Sequence, residues 1–362
     1  MFTQYLYVKD EVLLSLITGL LKRRDLNECL FWTNEYYSSG FNNELWDFIW
    51  KIYYDFYYLL NKNFKYILNK RYKKWKKEPN IYIVLTIIYN LFSLNHSPEV
   101  FLYRHVKISN IPKSVKLPKK LVKIFPTRNI FKDQFIMTIH TKNYKKLYQC
   151  LLYKIDYVTI FKTYMEKVFQ KKIKFGKIEK IIYNNKTHFI LAEIIYFLKN
   201  EYNSYNLKTF IYNILKSSII EKFKTFNNEK IKNIYTTLLH KKLYSIDNSI
   251  GGFLLERDNK KLNELYWYKW EYYSFDTPVW KERFQKYGAE KNEEKEDILF
   301  PSDEKLENFY EEWGYEPDEQ NKENQQKTLL NIEKCNIKTW IDKIYPDNNI
   351  KIKLKQKRIS YL

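Results

Sequence analysis

Residues 42–61 constrain the fold most, because their apolar side chains fall into two adjoining stripes at the pitch of an α-helix. At about 100° per residue, Leu45, Ile49, Ile52, Phe56 and Leu60 form one stripe, and Trp46, Trp50, Tyr53 and Tyr57 form the other. Glu44, Asp47, Lys51 and Asp55 gather on the opposite side. A face this wide exceeds what one neighbouring helix covers, so packing against two is predicted, as in a layered bundle or an α-solenoid. The Trp/Tyr stripe reads first as core, with a surface for a ligand or stacked bases as the alternative.

The helical period recurs along the chain. Within residues 10–23, Leu13, Leu16, Ile17 and Leu20 follow the spacing of a one-sided helix. Asp25 stands as the N-cap of a second helix, Glu28 completes a capping box, and Gly40 follows Ser39 where a left-handed closing residue is wanted. The longest apolar stretch, 81–94, is shorter than the roughly 20 residues of a membrane-spanning helix and reads as a buried core helix. Further helices are predicted over 144–153, 158–170, 187–202, 206–224, 229–244 and 262–273. Ile190, Leu191, Ile194, Phe197 and Leu198 line one face of the helix over 187–202, a weak strand signal covers 171–183, and Gly251 and Gly252 mark a turn.

With only 7 Gly and 9 Pro in 362 residues, the chain lacks the turn residues of a dense β architecture, and 45% hydrophobic content excludes disorder. The class predicted is all-α: a multi-helix bundle or irregular α-solenoid with an acidic C-terminal segment. No fixed-period repeat points to a named repeat family. The organisation predicted is an N-terminal helical domain (1–108), a basic Pro/Lys connector (109–127), a second helical domain (128–288), an acidic aromatic segment (289–327), and a C-terminal helix with a basic tail (328–362). The connector is placed by Pro112, Pro118 and Pro126, which remove donors and favour extended backbone, so no regular element is expected there.

Charge is segregated along the chain. The net charge is +21, yet residues 290–323 hold fourteen acidic residues against four lysines, a net −10 that leaves +31 on the rest. The basic helix 63–77 sets Lys65, Lys70, Arg71, Lys73, Lys74, Lys76 and Lys77 around Phe64, Leu68, Tyr72 and Trp75. The arm 109–127 adds Lys113, Lys116, Lys119, Lys120 and Lys123 among Val115, Leu117 and Leu121. Lys70, Arg71, Lys73, Lys74, Lys76, Lys77, Lys113, Lys116, Lys119 and Lys120 are therefore the candidate polyanion-binding residues. The plainer reading is a solvated helix face and a solvated linker, in a chain whose Lys, Asn, Ile, Tyr and Phe content matches A+T-rich coding. The acidic block contains Leu306, Phe309, Tyr310, Trp313 and Tyr315, so a short helix docked on the basic body is predicted there.

No catalytic signature stands out. Neither phosphate-cradling glycine motif is found, and His96, His105, His140, His188 and His240 lack metal-site spacing. Pro317, Asp318 and Glu319 superficially match the acidic motif of metal-dependent nucleases without its strand context. Cys29, Cys150 and Cys335 are odd in number and widely spaced, which fits a reducing, intracellular compartment and no disulfide framework. The first eight residues lack the pattern of a secretory signal. No metal, cofactor or enzymatic activity is predicted. An enzyme with a dispersed site would need carboxylates or histidines gathered in one cleft.

Two blocks carry a resemblance. The first runs through Leu26, Phe31, Trp32, Tyr36, Tyr37, Ser39, Gly40 and Phe41 to Trp50, Lys51, Tyr53, Tyr54, Asp55 and Phe56. The second comprises Thr277, Pro278, Trp280, Arg283, Tyr287 and Gly288, then Phe309, Tyr310, Trp313, Gly314, Tyr315 and the segment through Gln320. Together, over about a quarter of the chain, they resemble helical proteins encoded by nucleocytoplasmic large DNA viruses, the giant viruses. The resemblance implies a viral protein of the host cytoplasm (the viral factory) or the virion, and carries no activity or catalytic residue. Trp280, Arg283, Trp313 and Tyr315 are the candidate partner-binding residues. The function read from all this is a non-enzymatic helical scaffold or adaptor binding protein partners in a viral replication, transcription or assembly complex. The alternative is a nucleic-acid-binding protein using helix 63–77 and arm 109–127.

Overall fold

A computed structural model describes residues 1–106, 114–127, 129–173, 175, 186–200, 212–216, 218–219, 244, 262–315, 322–328, 336–347 and 350. The helix predicted over 206–224 lies mostly outside these residues, as do that over 229–244, the Gly251/Gly252 turn, most of 171–183, Pro317, Asp318, Glu319, Lys113, Cys335, His240 and the chain after Ile350.

Helices dominate the described residues, as periodicity and the scarcity of turn residues imply. In order they are α1 Lys9–Lys22, α2 Leu26–Ser38, α3 Asn42–Ile52, α4 Phe64–Lys77, α5 Ile81–Ser93, α6 Glu99–Arg104, α7 Lys119–Ile124, α8 Ile130–His140, α9 Tyr144–Cys150, α10 Tyr157–Phe169 and α11 Lys186–Lys199. There follow α12 Leu262–Trp267, α13 Trp270–Ser274, α14 Pro278–Lys286, a hairpin of β1 Glu290–Asn292 and β2 Asp297–Leu299, α15 Asp303–Trp313, α16 Lys322–Thr328 and α17 Ile337–Ile344. The fold is all-α apart from that two-stranded antiparallel sheet, in which Lys291 pairs with Ile298. Among the described residues no helix is long and apolar enough to cross a membrane.

Local signals account for many boundaries. Asp25 caps α2 by accepting from the Asn27 amide, and Asn80 caps α5 through the Tyr82 amide. Glu28, expected to reach back in a capping box, accepts from Arg24 (2.6 Å) and the Trp32 indole (3.0 Å). Gly40 takes φ +94°, and a Cβ there would lie 2.5 Å from that of Pro278, so the end of α2 and the start of α14 meet where only glycine fits.

Both stripes of the 42–61 helix are buried as far as Tyr57, each against its own neighbours. Trp46 meets Tyr72 and Trp75 of α4 at 5.0 and 5.6 Å, Tyr54 meets Phe189 of α11 at 5.2 Å, and Phe56 stacks on Phe101 of α6 at 4.9 Å. Trp46, Trp50, Tyr53 and Tyr57 are core residues, so no ligand or base reaches them. The helix departs from expectation at its end. After Ile52 it widens into a π-turn, Tyr53–Tyr57, closed by the Tyr58 amide donating to the Tyr53 carbonyl at 2.8 Å. The wider turn shifts the angular register of its side chains, and Asp55, predicted on the solvent side, is fully buried against Arg104. Leu60 falls past the helix and is 57% exposed.

The segment predicted as an irregular connector holds a helical element. Pro118 sits at the N-cap of α7, where its missing donor is not needed, and Leu121 and Phe125 drop into the core. Two hydrophobic clusters result. The main one runs from Tyr7 through α1–α11 and takes in α17, whose Trp340 rests on Phe56 and Phe101 and donates to Thr18 at 3.2 Å. The second joins Phe2 and Leu6 to Tyr266, Trp270, Trp280, Phe284, Phe309 and Tyr315.

Candidate nucleic-acid interface

Helix α4 turns one face inward and presents the other as an almost purely cationic surface. Phe64, Leu68, Tyr72 and Trp75 are buried, and Lys65, on the same side, pairs with Glu193 of α11 at 2.7 Å. Glu193 is fully buried, so that lysine is used in holding α4 to α11 and contributes nothing to the surface. Opposite, Lys70, Lys73, Lys74 and Lys77 are exposed and fall within about 100° of one another around the helix axis. No carboxylate occurs within α4. Lys74, Lys76 and Lys77 occupy the last turn, where cations complement the helix dipole.

Arg71 and Lys76 lie against neighbouring side chains. Arg71 lies over the Tyr212 ring at 4.6 Å; Lys76 bonds Asn43 at 3.1 Å and covers Trp75 at 5.3 Å. Lys116, Lys119 and Lys120 are exposed around α7, on a different element, with Leu121 as the anchor. One exposed residue of α4 is not singled out by the sequence. Tyr66 is 64% exposed and falls in register with the outward lysines, four residues before Lys70. Counting the register outward from Lys70, and not only inward from Leu68, is the signal that finds it.

Trp280, Arg283, Trp313 and Tyr315 are brought together in the second cluster. The Arg283 guanidinium lies between the Trp313 and Trp280 rings, 3.9 and 4.5 Å from their centroids. Trp280 is fully buried and donates to the Thr3 carbonyl at 3.1 Å, and Tyr315 is buried against Trp270. Burial pushes the guanidinium down to about 10, which leaves it charged at neutral pH, with Glu35 and Glu312 among the groups holding it up. This is a cation–π staple joining α14 to α15. Nearby acids of the 290–323 block pair within the same module: Glu296 with Lys269 at 2.8 Å, Glu293 with Lys291 at 2.9 Å, and Glu312 with Lys286. The short helix expected in the block is α15, and its Phe309 docks on Trp270 and Phe284.

A third cluster surrounds the π-turn. Asp55 accepts from Arg104 at 3.1 and 2.5 Å, yet burial outweighs that partner and raises its carboxyl. Burial lowers Lys51, and it lowers His188 well below its ordinary range, with Arg104, Lys51 and His105 pushing the same way. Arg104 and Lys51 both act on the Asp55 carboxylate, an arrangement that holds helices together. Among the described residues no group of three or more His, Cys, Asp or Glu is placed to hold a metal ion. No protein-family model, curated protein or solved structure matches the chain.

Proposed function

We propose that this helical protein binds nucleic acid through the outer face of α4, with Lys70, Lys73, Lys74 and Lys77 on phosphates. The observation that carries the reading is the lysine quartet standing opposite the buried face of a helix with seven basic residues and no acidic one. A+T-rich coding raises lysine everywhere, but basic residues are 63 of 362 in the whole chain and seven of 14 in α4, so the helix departs from composition. Each neutralised phosphate releases condensed counterions, and the binding is therefore salt-dependent. Lys116, Lys119 and Lys120 are available as secondary contacts.

Fluorescence anisotropy with a labelled oligonucleotide tests this. Four phosphate contacts to a single strand give a slope of log K against log salt of about −3. Replacing the four lysines by glutamine should abolish most of that slope. Failure of the wild-type protein to bind any polyanion at low salt contradicts the reading.

A second reading is a scaffold or adaptor for protein partners. Exposed Tyr268 (75%), Leu299 (49%) and Leu306 (36%) on the module built around the second cluster, called the acidic module for the carboxylates of residues 290–312, favour it and suggest a basic, partly apolar partner. The viral setting, a replication, transcription or assembly complex in the host cytoplasm or the virion, rests on the resemblance alone. A pull-down with the second module intact and with Leu306→Glu separates this reading from the first.

A further inference from the structure

We propose that the ligand of the α4 face is single-stranded nucleic acid, one base of which stacks on Tyr66. The inference rests on the nucleic-acid reading above and deepens it. Tyr66 keeps 64% of its surface exposed on a helix whose other aromatic residues, Phe64, Tyr72 and Trp75, are buried. Its hydroxyl makes no hydrogen bond among the described residues, and the cation placed over its ring there is the Lys65 ammonium, 5.5 Å from the centroid. The fold therefore gains little from a ring at this position.

The register places Tyr66 at one end of the cationic stripe. Lys70, Lys73, Lys74 and Lys77 follow at four, seven, eight and eleven residues, about 6 to 16 Å along the axis. A base face laid on the tyrosine would send its own strand past those ammonium groups in turn. Phosphate contacts alone serve duplex and single strand alike. A ring exposed on a convex helix meets a base π-face only where that base is unpaired and unstacked. Aromatic platforms beside a positive track are how sequence-tolerant single-strand binders work.

The test compares Tyr66→Ala and Tyr66→Trp with wild type on three probes: a labelled oligothymidylate, a duplex of equal length, and polyphosphate. Tyr66→Ala should weaken oligothymidylate binding about 5- to 150-fold, leave duplex and polyphosphate binding unchanged, and keep the wild-type melting temperature. Tyr66→Trp should bind the single strand at least as tightly as wild type. Equal weakening on all three probes, or no weakening on the single strand, overturns the inference. Wild type that binds polyphosphate but gains nothing from Tyr66 sinks only this inference; wild type that binds no probe at low salt sinks the nucleic-acid reading as well.

Discussion

The main core and the second core bury apolar surface with different materials. Helix α5 alone delivers Ile83, Val84, Leu85, Ile87, Ile88 and Leu91 to the first, because thirteen residues give a helix several turns of contact. The second is assembled from helices of five to eleven residues and a hairpin of two three-residue strands, and each helix has room for one or two inward side chains. Rings make up the difference: Phe2, Tyr266, Trp270, Trp280, Phe284, Tyr287, Phe309 and Tyr315, with Leu6, Ala289 and Ile298 as the buried aliphatic company among the described residues. An aromatic side chain buries about 150–250 Å², so a short element carrying one still contributes substantially. The comparison teaches that the small core depends on single residues far more than the large one does.

It depends, too, on a segment remote in sequence. Residues 2–8 fold back on themselves, Phe2 bridging to Val8, and are held from both sides. The Phe2 amide donates to the Tyr273 carbonyl at 3.1 Å, Thr277 donates to the Phe2 carbonyl, and buried Glu35 accepts from Gln4 and from the Tyr5 amide. The N-terminal segment thus ties α2 to α13 and α14.

Removing one ring is the strongest way to break this contrast. Trp280→Ala should cost about 3–5 kcal/mol. Hydrogen exchange should show protection lost in residues 2–8 and 262–315 while α5 stays protected; simultaneous loss in α5 would mean that the two cores unfold as one. Asp55→Ala attacks the main core instead, leaving Arg104 buried without its carboxylate, and should cost about 3 kcal/mol. Its effect should appear in α3, α6 and α11 first. Gly40→Ala strains the contact between the cores, since both its positive φ and Pro278 oppose a side chain, and about 1–3 kcal/mol in a urea titration is expected.

Acid should loosen the main core more gently. Burial holds His96 at about 4 and His188 well below its ordinary value, so both are neutral in the fold near pH 7 and below. The unfolded chain takes up protons through about pH 6.5, so the native state loses stability as pH falls from 7 to 5, on the order of 1 kcal/mol per pH unit for each histidine. His96 bridges to the Tyr345 hydroxyl at 2.7 Å, and α17 should detach early. His96→Gln should flatten the dependence; an unchanged slope would assign the effect elsewhere.

How much of the fold is legible in the sequence depends on how local each cause is. Leu13, Leu16, Ile17 and Leu20, the stripes around Trp46 and Leu45, and the Asp25 cap all act within a few residues, and the elements they imply are present. The π-turn is not legible, because nothing in Tyr53–Tyr57 differs in pattern from an α-helix; contacts with α6 and α11 select it. The hairpin escapes notice because Glu290–Asn292 has no alternation, its turn being made by Asn292 accepting from the amides of Glu294 and Lys295. Three prolines mask α7. The cationic face is visible as a run of lysines, but Tyr66 gains meaning only once the buried side of α4 fixes which way outward is.

Footprinting by lysine acetylation, with and without a saturating single-stranded oligonucleotide, tests the central claim most directly. Lys70, Lys73, Lys74 and Lys77 should lose reactivity on binding, while exposed Lys281, Lys286 and Lys305 of the acidic module keep theirs. Protection on the acidic module, or equal reactivity at all seven positions with the oligonucleotide bound, would contradict the assignment of α4 as the binding face.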